Sequence, residues 1–337
     1  MKRMLTLLLA LGLFSGALAQ DMPGEGVTVR PAVANWESAR PIAQLVVTLL
    51  EDLGYEVEDP STLANPIFYQ SLVNGDIDYW AHSWIPNQNN QLPSNFDEEA
   101  AFAGTILEQG ALQGYLVDRA SAEEYGITSL ADFQREEVKA AFDTDGDGRA
   151  ELVGCEAGWA CAEIVQGHIE ANGLEGDIDI LDASYNAMFA DVLARFNNGE
   201  AVLYYTWTPL FTVYEIPPGE DAVWINVPEM GETADEALME NMTVSGIAGI
   251  ATDPLVMGFP ANDIRITANR DFLDENPAAA ALFAEVKMDV ATVSEMTVRI
   301  NGGESSPDEV AAMVDEWIAA NRDTVDGWLE TARAAAQ

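Results

Sequence analysis

Four of the eight tryptophans in this 337-residue chain stand where the chain is expected to turn. Trp36 follows a strand expected over residues 27–33. Trp84 closes the run Trp80-Ala81-His82-Ser83-Trp84-Ile85-Pro86. Trp159 lies between the two cysteines, Cys155 and Cys161. Trp207 ends Leu203-Tyr204-Tyr205-Thr206, just before Thr208-Pro209. In open α/β sheets, ligands bind beyond the carboxyl ends of strands. Rigid aromatic faces placed there attract a cation, each contact being worth about 0.5–2 kcal/mol once water is excluded. Three or four together approach the roughly 8 kcal/mol of micromolar binding. The competing role of tryptophan is core packing. Trp317 and Trp328 fall on apolar helical faces and Trp224 is mid-strand, so these three are assigned to the core. Trp80 shares a strand face with Trp84, which leaves it open between pocket wall and core.

A second constellation is Asp143-Thr144-Asp145-Gly146-Asp147-Gly148-Arg149-Ala150-Glu151. Carboxylates at alternate positions, a glycine for the turn and a closing acid match a shortened EF-hand calcium loop. Asp143, Asp145, Asp147 and Glu151 are the expected ligands of a structural Ca²⁺, since hard oxygen donors suit that ion better than a transition metal. The plain alternative is an acidic turn without metal. The loop precedes Cys155 and Cys161, which are expected to form a disulfide in an exported chain. Closing so small a loop stabilises by roughly 2–3 kcal/mol in the chain-entropy model. A two-thiol metal site lacks nearby histidines, because the chain has only His82 and His168.

Catalytic patterns are scarce. There is no G-x-S-x-G, no phosphate-cradling glycine motif and no zinc spacing. His82 shares a strand face with Trp80 and Trp84 but has no visible triad partner. An enzyme acting on choline-like compounds would have only His82, Glu37 and Glu156 as candidate bases. A calcium-dependent structural or adhesive protein would explain the acidic loop but not the tryptophans.

The elements that must hold these residues read as mixed α/β. Helical spacing over 41–53 and 66–73 alternates with strand-like runs at 55–58, 77–83, 112–117, 201–206 and 223–227. A helix is expected from Ser129 to about Ala141, and another over 185–196. Ser306-Pro307-Asp308-Glu309 is a capping box that opens a C-terminal helix. Lys2 and Arg3, the apolar run from Leu5 to Phe14 and Ala17-Leu18-Ala19 read as a signal peptide over residues 1–19, cleaved on export. The formal net charge of −42 repels nucleic acid and anionic membrane surfaces, and suits a solvated surface in salty surroundings.

The chain resembles the periplasmic glycine betaine/proline betaine-binding proteins of ABC importers. The resemblance is carried by Gln113-Gly114-Tyr115-Leu116, by Asp143 through Cys161, and by Tyr204-Tyr205-Thr206-Trp207-Thr208-Pro209. It implies a two-lobe type II periplasmic fold with hinge closure: residues 20–111 and 226–337 as one lobe, 112–225 as the other. It also implies a box of three tryptophans around a trimethylammonium group, here Trp84, Trp159 and Trp207. The ligand carboxylate would meet the backbone N–H groups of Ala160 and Cys161 and a histidine four residues after the first box tryptophan. The chain departs from the pattern in three ways. Gln88 holds the histidine position, Trp36 adds a ring, and Glu156 sits in the disulfide loop. These departures disfavour a carboxylate, because like charges close together are costly. They favour trimethylamine N-oxide, whose oxygen can share a proton with Glu156; glycine betaine or proline betaine is the alternative. The implied partners are the trimethylated amine and a membrane permease, with the chain a periplasmic monomer and not an enzyme.

Overall fold

The structure is a computed structural model that describes residues 22–231 and 240–337; the expected signal peptide lies outside the described residues. Two mixed five-stranded sheets, each flanked by helices, form two lobes. The first sheet runs in the order Ser61–Thr62, Pro31–Val33, Tyr79–Ile85, Asn262–Asn269, Ala100–Ala111. The second runs Ala222–Ile225, Gln113–Asp118, Leu203–Trp207, Ala150–Val153, Ile178–Leu181. In each, a parallel pair sends its carboxyl ends toward the cleft: Pro31–Val33 beside Tyr79–Ile85, and Ala150–Val153 beside Leu203–Trp207.

The local signals explain most elements. Ala39–Asp52 buries Ile42, Leu45, Val46, Leu49 and Leu50 along one face, the 3–4 spacing of an amphipathic helix. Gly54, at φ +90, then turns the chain in a conformation that a side chain would strain. The capping box at Ser306 forms, with Glu309 reaching back to the Ser306 N–H. Trp317 and Trp328 stack with ring centroids 6.2 Å apart, and Trp224 lies over Gly114, where an added Cβ would meet its ring at 3.2 Å.

The structure corrects the sequence reading in three places. The helix expected from Ser129 is broken. Ser129 and Asp132 close a capping box on a 3₁₀ turn over Leu130–Gln134, and a separate helix covers Glu136–Phe142. The longest strand, Ala100–Ala111, was not anticipated; its partner is the remote Asn262–Asn269, through a register with several shifts. The chain also stays on the second lobe beyond residue 226. The Trp224 N–H donates to Gly249, the Val227 N–H donates to Val256, and the return to the first sheet comes at Asn262. The lobes are thus joined by two neighbouring crossings, one at Leu112 and one around Pro260, with Ala111 paired to Asn262.

Candidate ligand-binding site

The cleft between the carboxyl ends of the two sheets holds a cavity lined by Trp36, Trp84, Trp159 and Trp207. All four rings are buried. Trp36 and Trp159 meet edge-on at 5.6 Å, and Trp159 and Trp207 at 5.4 Å with planes 84° apart. Near-perpendicular rings leave faces turned into the space between them, the arrangement that surrounds a compact cation. Trp80 is not a wall. It lies behind Trp36 at 6.0 Å and against Phe68.

The first lobe holds its pair of rings from behind. Trp80, His82 and Trp84 alternate along Tyr79–Ile85 and share a face. The indole N–H groups of Trp36 and Trp84 both donate to His82 Nδ1, each at 3.1 Å. Burial holds the imidazole at a pKa of about 3, against a weaker upward pull from the backbone of His82 and Ser38. The ring is therefore neutral at any physiological pH.

The second lobe supplies the polar end. Trp159 is the N-cap of helix Ala160–Ala171, and no side chain caps that helix. The first N–H groups of a helix have no partner within it. Ala160 and Cys161, whose N–H groups are the first of this helix, line the cavity at the positive end of the helix dipole. The Cys155–Cys161 disulfide forms, with Cα atoms 6.0 Å apart, and ties this first turn back to the strand. Gln113 and Gln88, both buried lining residues, add amides. Gln113 Oε1 accepts from the Tyr205 hydroxyl at 2.5 Å, and its Nε2 has no partner. Gln88 Oε1 accepts from the Trp84 N–H and the Tyr69 hydroxyl. A backbone N–H can only donate, so the Gln88 oxygen must face it and Nε2 is the amide's remaining polar end. None of the lining residues is ionised.

Glu156 corrects an expectation. It does not line the cavity. Its Oε1 accepts from the Tyr185 N–H at 2.8 Å and its Oε2 from Asn35 Nδ2 at 3.1 Å. Asn35 Oδ1 in turn accepts the indole N–H of Trp159 at 2.9 Å. Glu156 is thus part of a contact between the lobes at the cleft rim, joined there by Asn186 to Glu37 at 2.9 Å and by Trp207 Nε1 to Ser38 Oγ at 3.4 Å. The sequence reading missed Asn35, Asn65, Asn87, Gln113 and Tyr205. Gln113 pairs with Trp207 across two antiparallel strands, a register that no local pattern discloses.

At the amino end of the strand Ala150–Val153, carboxylate oxygens of Asp143, Asp145 and Glu151 lie within 4.8 Å of one another. Glu151 is buried. Asp147 is not with them, because its carboxylate is engaged by the Arg149 guanidinium at 2.6 Å, which also holds it below the usual carboxylate range. Three oxygen donors fit a hard divalent cation.

Comparison with known proteins follows the same lines. Residues 27–320 match the family described as the substrate binding domain of ABC-type glycine betaine transport systems. The glycine betaine-binding periplasmic protein OusX of Dickeya dadantii is 35% identical over 333 residues, covering 99% of this chain and 97% of that protein. A trimethylamine N-oxide-binding protein of Pelagibacter ubique is 21% identical over 86% of each chain. Among solved structures, an ABC-transporter choline-binding protein in complex with choline superposes with a TM-score of 0.69 at 20% identity, over 92% of this chain and 96% of that one; this likeness shows the fold. Joined to the caged cleft, the family match and the 35% identity give one conclusion: this chain belongs to the substrate-binding proteins of ABC-type glycine betaine transport systems, and it is not an enzyme.

Proposed function

We propose that the chain captures glycine betaine, or a close zwitterionic relative, and delivers it as a monomer to a membrane permease. The observation that carries this reading is the pairing in one cavity of four tryptophan faces with the uncapped helix N-terminus at Ala160 and Cys161. A trimethylammonium group finds ring faces. A carboxylate finds N–H donors, the helix dipole and no opposing acid. With Glu156 bound to Tyr185 and Asn35, the argument for an N-oxide sharing its proton loses its basis.

Trimethylamine N-oxide is the second reading, favoured by Trp36 as a fourth wall and by Gln88 in place of a histidine. Calorimetric titration with glycine betaine, trimethylamine N-oxide, choline and carnitine decides between them. Glycine betaine is expected to bind most tightly, and Glu156→Gln to change the order of ligands little. Tighter binding of the N-oxide by the wild type overturns the choice of ligand.

The periplasm is the proposed compartment, reached through a cleaved leader over residues 1–19. The periplasmic relatives and the disulfide support it. No helix among the described residues is long and apolar enough to cross a membrane. A structural Ca²⁺ held by Asp143, Asp145 and Glu151 is proposed as well. It would neutralise three crowded carboxylates and brace the strand Ala150–Val153 that leads to Trp159. A chelator is expected to lower Tm, because an ion bound only by the native state stabilises it, and Asp145→Ala is expected to abolish that response.

A further inference from the structure

Two indole N–H groups converge on one imidazole nitrogen, and this fixes more than the position of a ring. An indole nitrogen can only donate, and a neutral imidazole has one donor and one acceptor nitrogen. Trp36 Nε1 and Trp84 Nε1 both lie 3.1 Å from His82 Nδ1. That nitrogen must therefore be the unprotonated one, with the ring proton on Nε2. The two tryptophans come from different strand ends: Trp36 from the loop after Pro31–Val33, Trp84 from within Tyr79–Ile85. They are not in each other's ring contacts, whereas His82 contacts both, at 5.7 Å and 6.0 Å between ring centroids. The histidine is buried and does not line the cavity.

We propose that His82 is the positioning residue of the cage: its single Nδ1 lone pair, shared by two indole N–H groups, sets the angle between two of the four walls without touching the ligand. The inference rests on the cage as the ligand site but not on which trimethylated amine fills it. The Nε2 side of the ring is buried without a hydrogen-bond partner, so what the cage takes from His82 is the acceptor at Nδ1. Asparagine places its Oδ1 there, with two lone pairs for two donors. Glutamine carries its carbonyl one bond farther out, and leucine has no acceptor.

The test compares His82→Asn, His82→Gln and His82→Leu with the wild type in three measurements: titration with glycine betaine and with trimethylamine N-oxide, thermal melting, and the indole ¹H–¹⁵N resonances of Trp36 and Trp84. His82→Asn is expected to bind the tighter ligand within about threefold of the wild type. His82→Gln and His82→Leu are expected to bind about tenfold more weakly or worse, the scale of a buried donor left unpaired. The two indole resonances should stay downfield in the asparagine variant and move upfield in the leucine variant, while those of Trp317 and Trp328 stay in place. Wild-type affinity in His82→Leu, or equal losses in the asparagine and leucine variants, overturns the proposal. A wild type that binds neither ligand defeats the ligand reading alone, and the resonances still decide the role of His82.

Discussion

Each lobe gives two tryptophans to the cage, and the two pairs are anchored by opposite strategies. The first-lobe pair, Trp36 and Trp84, places both indole N–H groups on His82 of the same lobe. The second-lobe pair, Trp159 and Trp207, packs its rings against Tyr185 of its own lobe but sends both N–H groups across the cleft, to Asn35 and Ser38. Polar groups satisfied within one lobe stay satisfied when the lobes part, while those satisfied across the cleft do not. The first half of the cage is therefore complete in the open protein. The second half acquires its last partners only on closure.

The largest expected effect tests the covalent element of the second half. Cys155→Ser should cost about 2–3 kcal/mol of stability by releasing the small loop, read as a lower Tm that reducing agent cannot lower further. If the reduced wild type melts where the oxidised one does, the loop is held by packing alone. Trp207→Ala should weaken binding at least about tenfold, ~1.4 kcal/mol or more, since ring area and cation attraction go together. Trp317→Ala should lower stability and leave the affinity of the folded fraction nearly unchanged. Equal affinity losses at these two positions would break the division between cage and core.

Asn35→Ala sharpens the comparison. It removes the partner of Trp159 and one partner of Glu156, contacts that cross the cleft. Each such bond contributes about 0.5–1.5 kcal/mol, so a loss of a few-fold in affinity is expected, carried mainly by faster dissociation in stopped-flow fluorescence. An unchanged dissociation rate would mean that the rim contacts do not hold the lobes together.

The smallest effect concerns pH, and each lobe buries one histidine. Burial lowers His168 to about 4, opposed by the backbone at Gly258. Its ordinary value is 6.5. Between these values the unfolded chain holds a proton that the fold does not, so stability rises with pH. The contribution is whole above 6.5 and falls away as pH drops toward 4. Near pH 6 the cost is about 0.8 kcal/mol. His82, held at about 3, contributes in the same window, so His168→Gln should remove about half of the two histidines' share of the slope of Tm against pH, and an unaltered slope would place the sensitivity elsewhere.

Much of the cage was legible in the sequence, because chemistry and punctuation coincide there. Trp84 and Trp207 each stand two residues before a proline at a strand end, and Trp159 stands inside a cysteine loop. What was not legible depends on pairing across distance. The position of Glu156 in its loop says nothing of direction; Tyr185 and Asn35, which turn it away from the cavity, come from a later helix and the other lobe. Ala100–Ala111 is rich in alanine and glycine and lacks clean alternation, so nothing local marked it as the edge partner of Asn262–Asn269. His82 was seen on the correct strand face, but its role needed Trp36, which arrives from another strand.

Thr208 gives the cage its mechanics. Its Oγ1 donates to Gly110 O and accepts the Leu112 N–H, and its own N–H donates to Leu112 O, so the residue beside Trp207 is fastened to the crossing on both sides of Leu112. In a rotation, an atom travels in proportion to its distance from the axis. Trp207 sits next to the pivot, and Trp159 follows a strand one place farther out, about 4.8 Å away in the sheet. A rotation about that crossing would carry Trp159 through a wider arc than Trp207, so of the two second-lobe walls Trp159 is the one whose distance from the first lobe answers most to the angle between the lobes.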